Sequence, residues 1–153
     1  TVYNIDILAS QMIYYWDRME DEGGWRAAVG TAILELTGYG AQVDDDLLID
    51  ILADYPFTAQ IGRCELASKD LVSIMDNKNR NNAGIAPIVA RCLADVLTLS
   101  IQKMRDLELT ETTRNEMKRV LKKIFDQNPK IKNEISKGFE QPERLKQRFQ
   151  ALL

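Results

Sequence analysis

Apolar residues recur at every third or fourth position along most of the chain, a spacing typical of helices that bury one face. Two such stripes lie within residues 4–20 and 24–37, and they comprise Ile5, Leu8, Met12, Trp16 and Met19, and then Trp25, Ala28, Val29, Ala32, Ile33 and Leu36. The run Asp21 to Gly24 between them should turn, since glycine tolerates turn geometry. We predict an antiparallel hairpin with Trp16 and Trp25 near its closed end, where they serve packing or, alternatively, form an aromatic ligand platform.

The stretch from Gly84 to Arg105 is apolar on almost every side, and between Ile85 and Ile101 its only charged residues are Arg91 and Asp95. A helix without a polar face is more stable when it is buried than when it is exposed to water, so we expect it in the interior. Those 17 residues with two charges fall short of the roughly 20 apolar residues that a membrane span needs. We predict a central helix over about 84–106. Arg91 and Asp95 should form an ion pair. If the pair is buried, its role is structural; if it is exposed at a groove, it is a candidate site.

Further amphipathic segments have recognisable ends. Asp44 and Thr110 are good N-caps, Pro56 interrupts a helix, and Gly62 marks an expected irregularity. Alternation typical of strands is never sustained. We predict an all-α fold, a single domain over 1–153 with about seven helices around the central one, the other segments being 44–55, 57–76, 110–127, 128–138 and 141–152.

The two halves of the chain carry opposite charge. Residues 1–75 contain thirteen acidic and four basic side chains, whereas residues 76–153 contain ten acidic and sixteen basic ones. Such asymmetry indicates two functional faces, self-complementary packing, or a basic end that meets an acidic partner. We therefore distinguish an acidic part, 1–75, from a basic part, 103–153.

Asp46, Asp50 and Asp54 form a carboxylate row at four-residue spacing. This row is interpreted as helix capping together with a solvated face or, alternatively, as a ligand site or a surface for a basic partner. A magnesium site would require a second acidic motif facing it, and the sequence offers none at convincing spacing. The polar loop 76–84 resembles a calcium loop only superficially, because Lys78 and Arg80 stand where oxygen ligands are needed. We predict no metal site.

A basic row follows in the C-terminal part. Arg114, Lys118 and Lys122 recur at four-residue spacing, and Arg119 and Lys123 adjoin them. The row is interpreted as solvated surface, as a surface for an acidic protein, or as a phosphate-binding surface for RNA. A pI near 5.1 and the lack of interleaved aromatic residues disfavour nucleic acid.

The composition gives little support for a catalytic function. The chain has no histidine, which excludes Ser–His and Cys–His nucleophiles and the common zinc sites. Cys64 and Cys92 lie on apolar stripes and are expected to be buried free thiols, with a disulfide between them as the alternative. We predict a protein that is not an enzyme and that uses no cofactor.

The segment from Thr1 to Glu20 lacks the basic start and apolar run of a secretory signal, so we expect a cytoplasmic protein without membrane attachment. The first residue is threonine rather than methionine, which indicates a processed or trimmed chain. By elimination, we predict a non-catalytic helical protein-interaction or assembly module that binds a protein partner or itself. The alternative is an RNA-associated protein that binds phosphates through the basic C-terminal helices. The predicted partner-binding residues are Arg114, Lys118, Arg119, Lys122, Lys123, Asp46, Asp50 and Asp54.

Overall fold

The computed structural model describes residues 2–20 and 24–153, and within those ranges helices are the regular elements and no strand occurs. The nine described helices are α1 (Val2–Arg18), α2 (Trp25–Gly38), α3 (Asp45–Leu52), α4 (Arg63–Asp76), α5 (Ala86–Leu97), α6 (Ile101–Asp106), α7 (Glu111–Gln127), α8 (Pro129–Lys137) and α9 (Glu143–Ala151). The predicted all-α class is confirmed, and the count of about seven was approximate.

Helix α5 lies at the centre of the fold because α3, α4, α7 and α8 all pack against it. Its buried side is fully inaccessible to solvent at Val89, Ala90, Leu93 and Ala94. Pro87 occupies its first turn, where a missing backbone N–H costs nothing. One edge of α5 nevertheless reaches the surface, since its two charged residues are exposed.

The single helix predicted over 84–106 is in fact two helices, α5 and α6, separated by residues 98–100. Thr98 turns its hydroxyl back to the carbonyl of Ala94 at 2.8 Å. Ser100 then caps α6, because its side-chain oxygen accepts the backbone N–H of Lys103 at 3.3 Å. The prediction was wrong beyond Leu97, since these local hydrogen bonds outweigh a continuing apolar pattern.

Helix α1 packs on α2, but each helix is rotated relative to its predicted stripe. Trp16 is buried as predicted, whereas Leu8 and Trp25 were wrongly placed in the core and are 45% and 69% exposed. The buried side of α2 instead comprises Ala27, Gly30, Thr31, Ile33, Leu34 and Thr37. Gly30 explains the rotation, because a Cβ there would lie 3.0 Å from the Trp16 ring. The indole therefore packs directly onto the backbone of α2.

The turns are only partly as predicted. Gly24 has a left-handed φ of 79°, while residues 21–23 of the predicted turn lie outside the described residues. The helix predicted over 57–76 starts only at Arg63, because Gly62 adopts a left-handed φ of 84°. The predicted irregularity at this glycine is confirmed.

The ends of α7 and α8 agree with the prediction. Thr110 caps α7 by accepting the backbone N–H of Thr113 at 3.2 Å, and Asn128 caps α8 in the same way. Within residues 2–20 and 24–153, no helix combines the length and the apolar character needed to cross a membrane.

Candidate functional site

The basic residues predicted on α7 lie in two different environments. Arg119 donates two hydrogen bonds to the carboxylate of Asp76, at 3.1 and 2.6 Å, and also binds Glu116. The Nζ atom of Lys123 lies 3.6 Å from the same aspartate. The hydrogen bonds from Arg119 lower the pKa of Asp76 below its usual value. These two cations are thus largely neutralised by acidic residues of the same chain.

Arg114 and Lys118, on the neighbouring row of α7, instead line a hollow of about 430 Å³ between α6, α7 and α9. Arg148 of α9 is the third cation of this hollow. Its remaining lining is apolar and comprises Leu97, Leu99, Ile101, Met104, Ala151 and Leu152. Cations thus surround an apolar floor.

A second hollow, of about 500 Å³, adjoins the first, and Leu99 and Arg148 line both. Its charged lining residues are Arg91, Asp95, Lys103, Arg144 and the shared Arg148. We call the two hollows together the basic cleft. Six cations and one carboxylate line it, so its electrostatic potential favours an anion.

The break between α5 and α6 helps to position the cleft. Arg148 donates to the carbonyl of Thr98 at 3.3 Å, so α9 is held against the residues that separate the two helices. This carbonyl is free to accept because the helix ends there. A continuous helix over 84–106 would remove this acceptor and close the gap.

Arg91 and Asp95 form the exposed edge of the cleft. The Nε atom of Arg91 lies 3.1 Å from the Asp95 carboxylate, and both side chains are about half exposed, at 54% and 53%. Gly138 lies against the guanidinium, since a Cβ on that glycine would be 3.3 Å from it. The ion pair is therefore exposed at a groove, which is the arrangement in which it is a candidate site.

Three cations of the basic cleft lack a counter-charge among the described residues. The Nε atom of Arg114 is buried and has no hydrogen-bond acceptor. Among the described residues, no carboxylate lies within 4.0 Å of the charged groups of Arg114, Lys118 or Arg148. Cations without a counter-charge beside them attract the carboxylates or phosphates of a ligand.

Two residues of the predicted Asp46 row, Asp50 and Asp54, form contacts with other side chains of the same chain. Asp50 accepts the indole N–H of Trp16 at 3.0 Å and lies 3.6 Å from Arg26. Asp54 lies 3.8 Å from the same arginine, beyond the end of α3. Asp46 alone faces solvent without such a contact in the described part of the chain. The row therefore fastens α1 and α2 to α3.

Neither the thiols nor the acidic residues form a reactive or metal-binding cluster in the part of the chain that is described. Cys64 and Cys92 are both free, which confirms the prediction of unpaired thiols, although Cys92 is only half-buried. Burial raises the pKa of Cys92 to about 12 and also raises that of Cys64, so both sulfurs stay protonated at neutral pH. No group of three or more potential ligands is placed to hold a metal ion across residues 2–20 and 24–153.

The sequence indicated only part of the cleft. Arg114 and Lys118 were predicted as partner-binding residues, and Arg91 was predicted as part of a candidate pair at a groove. Lys103, Arg144 and Arg148 were not. The spacing of Arg144 and Arg148, four residues apart on α9, was the one local signal that they share a helical face.

Comparison of the chain with protein families, with curated proteins and with solved structures gave no match. The basic cleft is therefore interpreted from its own chemistry. Its charge and its apolar floor carry that interpretation.

Proposed function

We propose that the protein is a non-catalytic interaction module whose basic cleft binds an acidic segment of a protein partner. The observation that carries this proposal is the convergence of Arg114, Lys118 and Arg148 on one hollow, with no carboxylate of the described residues within 4.0 Å of their charged groups. Three cations that converge without a carboxylate form a site for the carboxylates of another chain.

The apolar floor supports a peptide rather than a simple ion. Leu97 and Leu152 are buried beneath the cations, and Ile101 at the rim is 64% exposed. An acidic segment that also carries an apolar side chain would satisfy the guanidinium and cover this exposed area at once. Binding of that kind combines burial of apolar area with charge pairing, as in many helical recognition modules.

Nucleic acid fits the same cleft less well. The one aromatic residue that lines it, Phe139, is buried and stacks on Phe149 at 4.7 Å, so it offers no face to a base. Proteins that bind single strands usually provide exposed aromatic rings for stacking. Arg119 and Lys123, which would extend a phosphate track along α7, already bind Asp76.

The test is fluorescence anisotropy with a short labelled peptide of glutamate and leucine, compared with its glutamine analogue and with a labelled single-stranded RNA. The wild-type protein should bind the acidic peptide in preference to both other probes. Lys118→Glu should weaken binding at least about tenfold, which corresponds to about 1.4 kcal/mol. Arg114→Gln should weaken it by a similar factor.

Lys130→Glu is the matched control, because Lys130 is exposed at the start of α8 and lines neither hollow of the cleft. It makes the same change in charge and should alter the affinity less than about twofold, since exposed charges beyond a Debye length of about 10 Å are screened. Equal losses in the two lysine variants, or stronger binding of the RNA than of the peptide, would contradict the proposal. Circular dichroism of each variant checks that it folds.

A further inference from the structure

The second hollow of the basic cleft has a different lining from the first. Its four cations come from three helices, namely Arg91 of α5, Lys103 of α6, and Arg144 and Arg148 of α9. Three of them are arginines, and Asp95 is the one carboxylate among the lining residues. The guanidinium group suits phosphate because its planar fork donates two parallel hydrogen bonds. With four cations against one carboxylate, this hollow favours an anion of more than one charge.

Two of these arginines are each held in place through one nitrogen. The Nε atom of Arg91 donates to both carboxylate oxygens of Asp95, at 3.1 and 3.3 Å, and the guanidinium carbon lies 5.8 Å from the centroid of the Phe139 ring. Arg148 donates through Nη1 to the carbonyl of Thr98 at 3.3 Å. Within the described part of the chain, the Nη atoms of Arg91 and the Nη2 atom of Arg148 donate no hydrogen bond. These donors are thus oriented before a ligand arrives, which lowers the entropy cost of binding.

The free donors match a phosphate monoester better than a carboxylate. A carboxylate carries one negative charge on two oxygens, so a single guanidinium fork satisfies it. A phosphorylated side chain carries a charge of about −1.5 to −2 at pH 7 and three acceptor oxygens. It can therefore accept hydrogen bonds from Arg91 and Arg148 at the same time. A phosphodiester in an RNA backbone carries only one charge, so the monoester is the better fit.

The first hollow continues the same site, because Leu99 and Arg148 line both hollows. A ligand that places a phosphoryl group in the second hollow can therefore reach the apolar floor of the first. We propose that the basic cleft recognises a phosphorylated acidic segment, with the phosphoryl group in the second hollow and adjoining carboxylate and apolar side chains in the first. This proposal rests on the proposed function and adds phosphorylation as the condition for tight binding.

Three peptides that differ at one residue test the proposal by fluorescence anisotropy. They are the peptide of glutamate and leucine with serine, phosphoserine or glutamate at its centre. The phosphoserine peptide should bind at least about tenfold more tightly than the serine peptide, and about fivefold more tightly than the glutamate peptide, because its phosphate accepts additional charge-assisted hydrogen bonds. Phosphatidate vesicles and an RNA with a 5′-phosphate carry the same monoester group. They should bind more weakly than the phosphopeptide, since neither places a carboxylate and an apolar side chain in the first hollow.

Variants of the two hollows locate the phosphoryl group. Arg144 is exposed and lines only the second hollow, so Arg144→Gln should reduce the preference for phosphoserine over serine at least about threefold and change the affinity for the serine peptide less than about twofold. Arg91→Lys keeps the charge but removes the fork, and should also reduce the preference. Lys118→Gln acts on the first hollow and should weaken binding of both peptides by similar factors.

Lys130→Gln is the matched control, because it removes one exposed cation that lines neither hollow. It should leave the affinities and the preference unchanged, and circular dichroism should show that every variant folds. Equal binding of the serine and phosphoserine peptides would overturn the phosphate assignment and leave the binding of acidic segments intact. The same preference in Arg144→Gln as in the wild type, or tighter binding of the RNA or the vesicles, would also overturn it. Failure of all three peptides to bind would instead contradict the proposed function itself.

Discussion

Glu65 of α4 accepts a hydrogen bond from the hydroxyl of Thr113 of α7 at 2.6 Å. The same carboxylate accepts the hydroxyl and the backbone N–H of Thr110, at 2.8 and 3.1 Å. Glu65 therefore completes the N-terminal cap of a helix whose N-cap residue, Thr110, lies 45 residues later in the chain. A negative charge at this end of α7 also interacts favourably with the helix dipole.

We expect Glu65→Ala to lower the free energy of unfolding by about 2 kcal/mol, since it removes hydrogen bonds to a charged group and leaves Thr113 without its partner. Glu65→Gln should lose about half as much, because the amide oxygen still accepts. Urea denaturation followed by circular dichroism measures both. Glu140→Gln, in the exposed turn between α8 and α9, is the control and should change stability by less than about 0.5 kcal/mol. Similar losses in Glu140→Gln and Glu65→Ala would show that the cap contributes little.

Gly30→Ala should destabilise the protein although alanine is the better helix former. The added Cβ would lie 3.0 Å from the Trp16 ring and 3.1 Å from the Cγ2 atom of Ile51. Overpacking of this kind costs about 1–3 kcal/mol and should outweigh a gain in helix propensity of about 1 kcal/mol. Thermal unfolding should therefore show a lower Tm for the variant.

A double variant separates this clash from other effects of the substitution. Trp16→Leu removes the ring atoms that the new Cβ would meet, so Gly30→Ala should cost less in that background than in the wild type. Equal costs in the two backgrounds would mean that the indole is not the obstacle.

Asp70 should make stability depend on pH. Burial, and secondarily the charge of Glu35, raises the pKa of Asp70 to about 7, while Lys69 opposes the shift. The folded state therefore holds this proton more tightly than the unfolded state, so the free energy of unfolding should fall as pH rises from about 4 to about 7. We expect Asp70→Asn to be more stable than the wild type by about 1–2 kcal/mol at pH 8, a figure discounted for partial exposure, and by little at pH 4.

The measurement is urea denaturation of the wild type and of Asp70→Asn at both pH values. Glu35→Gln serves as the companion variant, because removal of the neighbouring charge should lower the pKa of Asp70 and reduce the same pH dependence. An equal difference in stability at pH 4 and pH 8 would rule out titration of Asp70 as the cause.

Local signals in the sequence were enough to predict several helix ends. Thr110 caps α7 as expected because an N-cap depends on residues only three positions apart, whereas Asp44 stands at the N-cap of α3 without a side-chain hydrogen bond to that helix. The rotation of α2 could not be predicted in this way. It depends on contact between Gly30 and an indole on another helix, which periodicity along a single helix does not contain.

The candidate site shows the same division. The row Arg114 and Lys118 was visible as four-residue spacing, but its relation to Arg148 depends on how α9 packs beside the gap after α5. The neutralisation of Arg119 likewise depends on Asp76, which is 43 residues away in the chain. Spacing identifies which charges share a helical face, and only tertiary packing decides which of them meet a counter-charge.

The two tryptophans of the chain differ sharply in environment, since Trp16 is 2% and Trp25 is 69% exposed. A water-soluble quencher should therefore extinguish the fluorescence of Trp25 and spare that of Trp16, whose ring is covered by Arg26 at 3.7 Å. Emission from Trp16 then reports whether α1 stays docked on α2. Detachment of helix α1 could thus be followed optically, without a label and separately from unfolding of the whole domain.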